Sequence, residues 1–599
     1  MSKSLEKLEL HKKSAPLVYA HSLTRLMDNT ERENCDISVQ DLIYKKRKGS
    51  YYTKPEIVSL ILDLAGYTSD RLLHKSTLLE PSAGEGAFLI EAVKRLISAA
   101  MRYSDGELFT DENLAFDLLR NAICSIELNS MTYHRLRSNI NKILRGYGAS
   151  EILCRHLLDQ WIVQTDFLLW NKPVERRFDY IIGNPPYVRI ENLDETMAKE
   201  YRRRYATLFD RADIYVAFIE HGLEMLAEGG RLSFICTDRF TKNRYGKEIR
   251  HLINENYRVV HFLDIHNTQP FMDVVSAYPC IFTIENGLKG EARTLKMDEV
   301  SSMHLEEARK YLLGGFETTC HGIETHTIKD WFKGSDPWVL NGERAQSILR
   351  KLEESHPLLT ESPHNITVGI GVATGAKDIY IVHPEKVDIE PEVLLPTVTK
   401  DDIKDGYINW RGYYVINPYK PDGTLVNLEE YPKLQTYFLS HEKRLKERNT
   451  AKNNPAKWYK TIDRIFPERL KEPKLLIPDI KSENLIVRDD GHFYPEHSLY
   501  YITAGTWDIE ALQALLTSSI IKFFIWSYAT KMRGDYLRYQ AQYLKKIRLP
   551  VGIAKEDIYH LKQFHQRRDN ASIDLLAQRL FGLTDDELQI IYELVGREE

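Results

Sequence analysis

From about residue 50 to residue 285 the chain alternates short apolar runs with amphipathic stretches, which restricts its fold more than any other feature. The runs at 77–79, 122–126, 180–183, 231–236, 259–263 and 280–284 read as strands. Between them, residues 214–227 read as a helix, with Phe218, Ile219, Gly222, Met225 and Leu226 recurring on one face. "EGGRLSF" is expected to close that helix with its glycines and open the next strand. Such alternation specifies an α/β fold whose sheet is mostly parallel and covered on both faces.

The ends of those strands carry the chemistry. The first delivers Glu80 into "EPSAGEGAF", where Gly84 and Gly86 permit a tight turn and a close approach of ligand to backbone amides. The turn has no Lys-Ser/Thr, so phosphate is not favoured, and Glu80 suits a ligand with a positive or polar group. A plain strand–helix corner is the alternative. The second strand ends in "ICSIELN", which places Glu127 either to hold ribose hydroxyls or to cap the next helix from the surface. Glu127 lies 41 residues beyond Gly86. The usual spacing is about 20, so residues 99–121 are expected to be an insertion. "IVQTDFLLW" brings Asp166 and Phe167 to another strand end, suited to an exocyclic amine and a purine ring.

"YIIGNPPYVRI" then stops a strand abruptly, because neither proline can continue it. This is either a simple turn or a rigid mount that presents Asn184, a backbone carbonyl and an aromatic ring.

At 599 residues the chain is too long for one core, and two to four domains are expected. No apolar run approaches the ~20 residues of a membrane span, and the N-terminus lacks a secretory apolar core. The six cysteines are scattered without a C-x-x-C pair. They suggest neither a zinc framework nor disulfides, so no metal and a cytoplasmic setting are expected. The net charge of −5 does not advertise a polyanion partner, although basic runs occur at 45–48 and 202–204. In "RGDYLRYQAQYLKKIRLP", Arg533, Arg538, Lys545, Lys546 and Arg548 interleave with Tyr536, Tyr539 and Tyr543. That mixture suits phosphates and bases together.

The domain reading is a helical extension over 1–44, an α/β domain over 45–290 and a connection over 291–335. A mixed α+β domain over 336–550 and a helical tail over 551–599 follow.

Taken in order, these segments resemble the gamma-class N6-adenine DNA methyltransferases of restriction–modification systems, the TaqI-like type. "GSYYTKPEIV", "LLEPSAGEGAF", "IELN", "TDFLLW", "GNPPY", "GGRLSFICTDRF" and "TQPFMDVVSAYPCIFTIE" are collinear with the family's motifs, although Lys54 stands where proline is commoner. "GIGVATGAKDIYIV" and the 533–550 stretch are similar to TaqI-type target-recognition domains.

The resemblance implies a Rossmann-like domain that uses S-adenosylmethionine, followed by a target-recognition domain. It implies cofactor binding by Tyr52, Thr53, Glu80, Ser82, Gly84, Gly86, Glu127, Asp166 and Phe167. Catalysis falls to Asn184, Pro185, Pro186 and Tyr187, with Tyr187 and Phe271 stacking on a flipped adenine. Double-stranded DNA is the expected partner, and the expected state is a monomer or weak dimer. A cognate restriction endonuclease would act on the same site without stable binding. A bifunctional restriction–modification enzyme and a protein-glutamine methyltransferase are the alternative readings. Against the second stands the large aromatic and basic C-terminal half.

Overall fold

The computed structural model describes residues 51–170, 177–266, 268–272, 278–329, 331–339, 342–481, 485–529 and 537–596. The expected helical extension over 1–44 and Arg533 lie outside the described residues. The chain divides into two compact units between Trp338 and Val339.

The first unit is built on a nine-stranded sheet of order β3-β2-β1-β4-β5-β7-β6-β8-β9. Its strands are β1 (Leu78–Glu80), β2 (Ile123–Glu127), β3 (Ile162–Gln164), β4 (Phe178–Gly183), β5 (Leu226–Thr237), β6 (Arg258–Asp264), β7 (Pro279–Glu285), β8 (Ala292–Met297) and β9 (Ile323–Ile328). Strands β3, β2, β1, β4 and β5 pair in parallel, while β7 is antiparallel to both β5 and β6. The central strands are continuous apolar runs because helices cover both faces. One such helix, Ala87–Tyr103, buries Phe88, Leu89, Ala92, Val93, Leu96 and Ile97, the i/i+3/i+4 stripe its sequence spells out. This helix and Glu112–Leu119 fill the long gap between the first glycine turn and β2.

In the first unit two expectations need correction. Gly229 and Gly230 do not close a helix. The preceding helix ends at Glu224, and the glycines form a bulge inside β5, where the register with β4 jumps between Phe178 and Tyr180. A Cβ on Gly230 would lie 2.7 Å from the Phe178 carbonyl oxygen, so the bulge needs a residue without one. Residues 291–335 are not a connection either. They add β8, the helix Ser302–Leu312 and β9 to the sheet. Strand β8 buries Ala292, Thr294, Leu295 and Met297 but leaves Arg293 and Lys296 half-exposed, and these two cations in a six-residue strand make it read as polar in sequence.

The second unit carries two four-stranded sheets and a helical core. Its main hydrophobic cluster joins the helices Ile509–Thr517 and Ser519–Tyr528 to the strands Lys474–Pro478 and Leu499–Thr503. Phe581, Leu588 and Ile591, from the last two described helices, enter the same cluster, so the C-terminal helices are part of the core rather than a tail. No single helix among the described residues is long and apolar enough to cross a membrane.

Candidate active site

The strand order reverses direction between β1 and β4, so the carboxyl ends of these neighbouring strands open a crevice where α/β folds bind ligands. Glu80 ends β1, Glu127 ends β2, and Asn184 follows β4 directly. Gly183 has φ +153°, and a Cβ on it would stand 3.6 Å from Pro81 and 3.9 Å from the Glu80 side chain. That close approach sets the Asn184 loop against the first strand's carboxylate.

Asn184 is held from both sides. Its backbone carbonyl accepts a 3.1 Å bond from the Ser82 hydroxyl. Its side-chain Nδ2 donates to the Tyr51 carbonyl at 2.7 Å and to Thr53 Oγ1 at 3.3 Å. Both of the amide's donor hydrogens are thereby engaged, yet the side-chain Oδ1 is buried with no hydrogen-bond partner. An unpaired buried acceptor of this kind costs about 1–3 kcal/mol, which a ligand N–H would recover.

The segment that holds the asparagine is itself pinned. Thr53 bridges Phe271, Lys54 N–H donates to the Pro270 carbonyl at 3.0 Å, and Met272 N–H donates to the Tyr52 carbonyl at 2.9 Å. Around this pairing Tyr51, Tyr187 and Phe271 form a ring cluster with centroids 5.7, 6.0 and 6.2 Å apart. The Tyr187 hydroxyl donates to the Ile235 carbonyl at 3.2 Å, and its ring meets the edge of Tyr215. Burial pushes the Tyr187 phenol well above its ordinary range, so it remains a neutral aromatic surface. Behind Tyr215, buried hydroxyls link Thr237, Tyr215 and Tyr245 to the Asp213 carboxylate.

On the β1–β2 side, Glu127 accepts from Gly84 N–H at 2.9 Å and from Asn129 N–H at 2.7 Å, one on each oxygen. Each carboxylate oxygen retains a further lone pair for a ligand hydroxyl. Gly86 has φ +99°, and a Cβ there would strike Leu136 at 2.7 Å, so the turn requires glycine. Glu80 is buried, and burial, followed by the Glu127 charge, pushes its carboxyl well above the usual range; the Ser125 hydroxyl opposes this. A buried carboxyl of this kind is suited to a cationic ligand group. Tyr52 lies beside the same turn, its phenol raised by burial and by Glu85.

Asp166 is already engaged, accepting from Leu168 N–H at 2.9 Å and from the Tyr201 hydroxyl at 2.6 Å. Phe167 is buried. It is 2% exposed and packs on Phe218 and His221, because the short helix it begins turns into the core.

The basic and aromatic stretch near 540 also differs from expectation. Tyr539 and Tyr543 are buried in the second unit's core, and Arg538 pairs with Asp479. Lys545 and Lys546 remain exposed. The 202–204 arginine run is a helix C-terminus: Arg203 and Arg204 pair with Glu200, whose carboxyl they lower to about 2. Among the described residues, no group of three or more His, Cys, Asp and Glu could hold a metal ion.

Tyr51 and Tyr215 are the site residues that sequence reasoning missed. Tyr51 directly precedes Tyr52 and Thr53 in "GSYYTKPEIV", so its signal lay in that segment. For Tyr215 no local signal existed, since it reads as one more apolar helical position.

Comparison with known proteins places this geometry. The Eco57I restriction-modification methylase family matches residues 72–271, and the TaqI-like C-terminal specificity domain matches residues 396–551. The Type II methyltransferase M.BstVI of Geobacillus stearothermophilus is 47% identical, covering 91% of this chain and 97% of that protein. M.PaeR7I of Pseudomonas aeruginosa, also a Type II methyltransferase, is 41% identical, covering 90% and 92%. Among solved structures, the Type IIL restriction-modification enzyme MmeI in complex with DNA aligns with a TM-score of 0.58 at 13% identity. It covers 98% of this chain and 81% of that one, a likeness of fold.

Proposed function

The chain belongs to the Type II methyltransferases of restriction–modification systems, and on that premise we propose that it methylates the N6 amine of an adenine turned out of duplex DNA. The donor in this reading is S-adenosylmethionine. The setting is the cytoplasm, where a monomer or weak dimer protects sites that a cognate endonuclease cuts without stable association. The observation that carries the reading is the buried, unpartnered Asn184 Oδ1 at the carboxyl edge of β4.

An exocyclic adenine amine is a poor nucleophile because its lone pair is delocalised into the ring. Asn184 Oδ1 and the Pro185 carbonyl offer two acceptors for its two N–H groups, favouring a pyramidal nitrogen with its lone pair free. Pro185 and Pro186 fix the backbone, so neither acceptor has to be organised during reaction. The bonds from Asn184 to Tyr51 and Thr53 orient the side chain so that oxygen, not nitrogen, is left for the substrate.

Glu80, Ser82, the Gly84–Gly86 turn and Glu127 suit S-adenosylmethionine: a buried carboxyl for its ammonium, a second for ribose hydroxyls, and a turn without side chains for close approach. When bound, it supplies an electrophilic methyl group. Tyr52 and Thr53 flank that turn and the Asn184 loop.

Turning the base out of the duplex costs a few kcal/mol. Stacking on Tyr187 and Phe271, roughly 1–3 kcal/mol per base, is the right size to offset it. Reading of the surrounding sequence falls to the second unit, whose residues 396–551 match a specificity domain.

The test is transfer of a labelled methyl group to duplex DNA by the purified protein, with the modified base identified by mass spectrometry. N6-methyladenine supports the reading; label on cytosine, or on protein and not DNA, overturns it.

A further inference from the structure

Residues 441–471 hold ten Lys and Arg against four Asp and Glu, in a chain whose formal net charge is −5. They comprise the short helices Glu442–Lys446 and Asn449–Lys452, the turn Pro455–Lys457 and the turn Pro467–Leu470.

The segment is rigidly mounted. Arg448 spends its guanidinium on carbonyls, donating to Leu445, Thr374, Trp458 and Lys460 and lying over the Tyr380 ring. Arg464 lies over the Phe466 ring and against Gly423, where φ is +76° and no Cβ would fit. Arg444 pairs with Asp378. These cations hold the fold together.

Four others do not. Lys443, Lys452, Lys457 and Lys471 are exposed, and among the described residues no acidic side chain pairs with them. The exposed carboxylates Glu447 and Glu468 lie in the same segment, yet its ten cations against four acids leave a surplus of six positive charges. The aromatics of the segment are committed inward: Trp458 and Tyr459 pack on Phe438, and the Tyr459 hydroxyl donates to the Val426 carbonyl at 2.8 Å. What remains outward is a net surplus of positive charge, with the rings of Trp458 and Tyr459 packed inward.

We propose that residues 441–471 are a docking face for the phosphate backbone of duplex DNA, gripping it without regard to sequence through Lys443, Lys452, Lys457 and Lys471. The inference rests on the DNA reading above and assigns the charge-based part of binding to a segment distinct from the 538–546 stretch, whose rings are buried. Ammonium groups act as point charges on phosphate, and each phosphate neutralised releases condensed counterions.

The experiment changes all four lysines to glutamine in the full chain. DNA affinity is then measured by fluorescence anisotropy across about 50 to about 300 mM salt, on duplexes with and without the methylated site. The expected result is a log K against log salt slope shallower by about 3 to 4. Binding should weaken at least about tenfold on both duplexes alike. The K452Q/K457Q pair should give about half the change in slope. All four positions are solvent-facing, so circular dichroism should match the wild type.

A wild-type slope in the quadruple variant overturns the inference, as does a loss confined to the specific duplex. Unchanged DNA binding with lost binding to polyglutamate would assign the face to an acidic protein instead. If the wild type methylates DNA and the slope is unchanged, only this inference falls; if the wild type does not act on DNA, the proposed function falls.

Discussion

The two units use the same residue types in opposite ways. In the first unit Tyr51, Tyr187 and Phe271 cluster at the carboxyl edge of the sheet beside the Asn184 side-chain oxygen, which has no partner. In the second unit a buried charge pair and two tyrosines serve the fold instead. Lys474 and Asp489 form a buried pair at 2.9 Å, with Lys474 also donating to the carbonyls of Leu470 and Glu472. Tyr539 and Tyr543 fill the core. A sheet edge at a reversal of strand order exposes a crevice that its own residues do not fill, whereas small sheets wrapped by helices consume their polar groups in holding together. The unpaired Asn184 oxygen in the first unit therefore marks chemistry, and the buried Lys474–Asp489 pair in the second marks stability.

This contrast predicts where damage will fall. Asp489→Ala strands a buried ammonium and should destabilise the second unit by about 3–5 kcal/mol in chemical denaturation. A fully folded variant with lost methyl transfer would break the contrast. Asn184→Ala should do the reverse: methyl transfer falls by at least about 10²–10³-fold while the melting temperature moves little. If the activity survives, the orphaned oxygen is not the acceptor that matters. Tyr187→Ala should lower kcat/KM by about 10–100-fold through lost stacking. Tyr187→Phe loses only the bond to Ile235, about 1 kcal/mol, and should retain most of the activity. Equal losses in both would transfer the role from the ring to the hydroxyl.

The smallest effect is one of pH. Glu80 holds its proton more tightly folded than unfolded, because burial and the Glu127 charge raise its folded value. Its contribution to stability is complete below the ordinary carboxylate range and declines as pH rises through the raised value. Glu80→Gln should flatten that decline in melting temperature against pH, and an unaltered profile would place the proton elsewhere. A cationic ligand beside Glu80 should also release this proton, so S-adenosylmethionine affinity should rise with pH in the wild type and not in Glu80→Gln. Calorimetry in buffers of different ionisation enthalpy measures that release.

The strand framework was legible because strands buried on both faces are near-continuous apolar runs, and each of the six expected runs overlaps a strand. The β5 bulge and the β8–β9 extension were not, since a glycine pair reads alike as cap or bulge and an edge strand reads as polar surface. Phe167 and Tyr539 show the same limit for the site. An aromatic beside a charged residue has one appearance in sequence, and only the element packed against it decides which way the ring turns.

The sequence by itself determined where strands stop and what stands at each stop: Glu80, Glu127 and the asparagine before two prolines. Those are local facts, set by apolar runs, by proline's missing N–H and by glycine's freedom at positive φ. Only the tertiary structure decided which atom of Asn184 remained open, because the groups that occupy its nitrogen, Tyr51 and Thr53, lie more than 130 residues away along the chain. Contacts at that separation are set by how the sheet and its helices pack, and no local pattern encodes them.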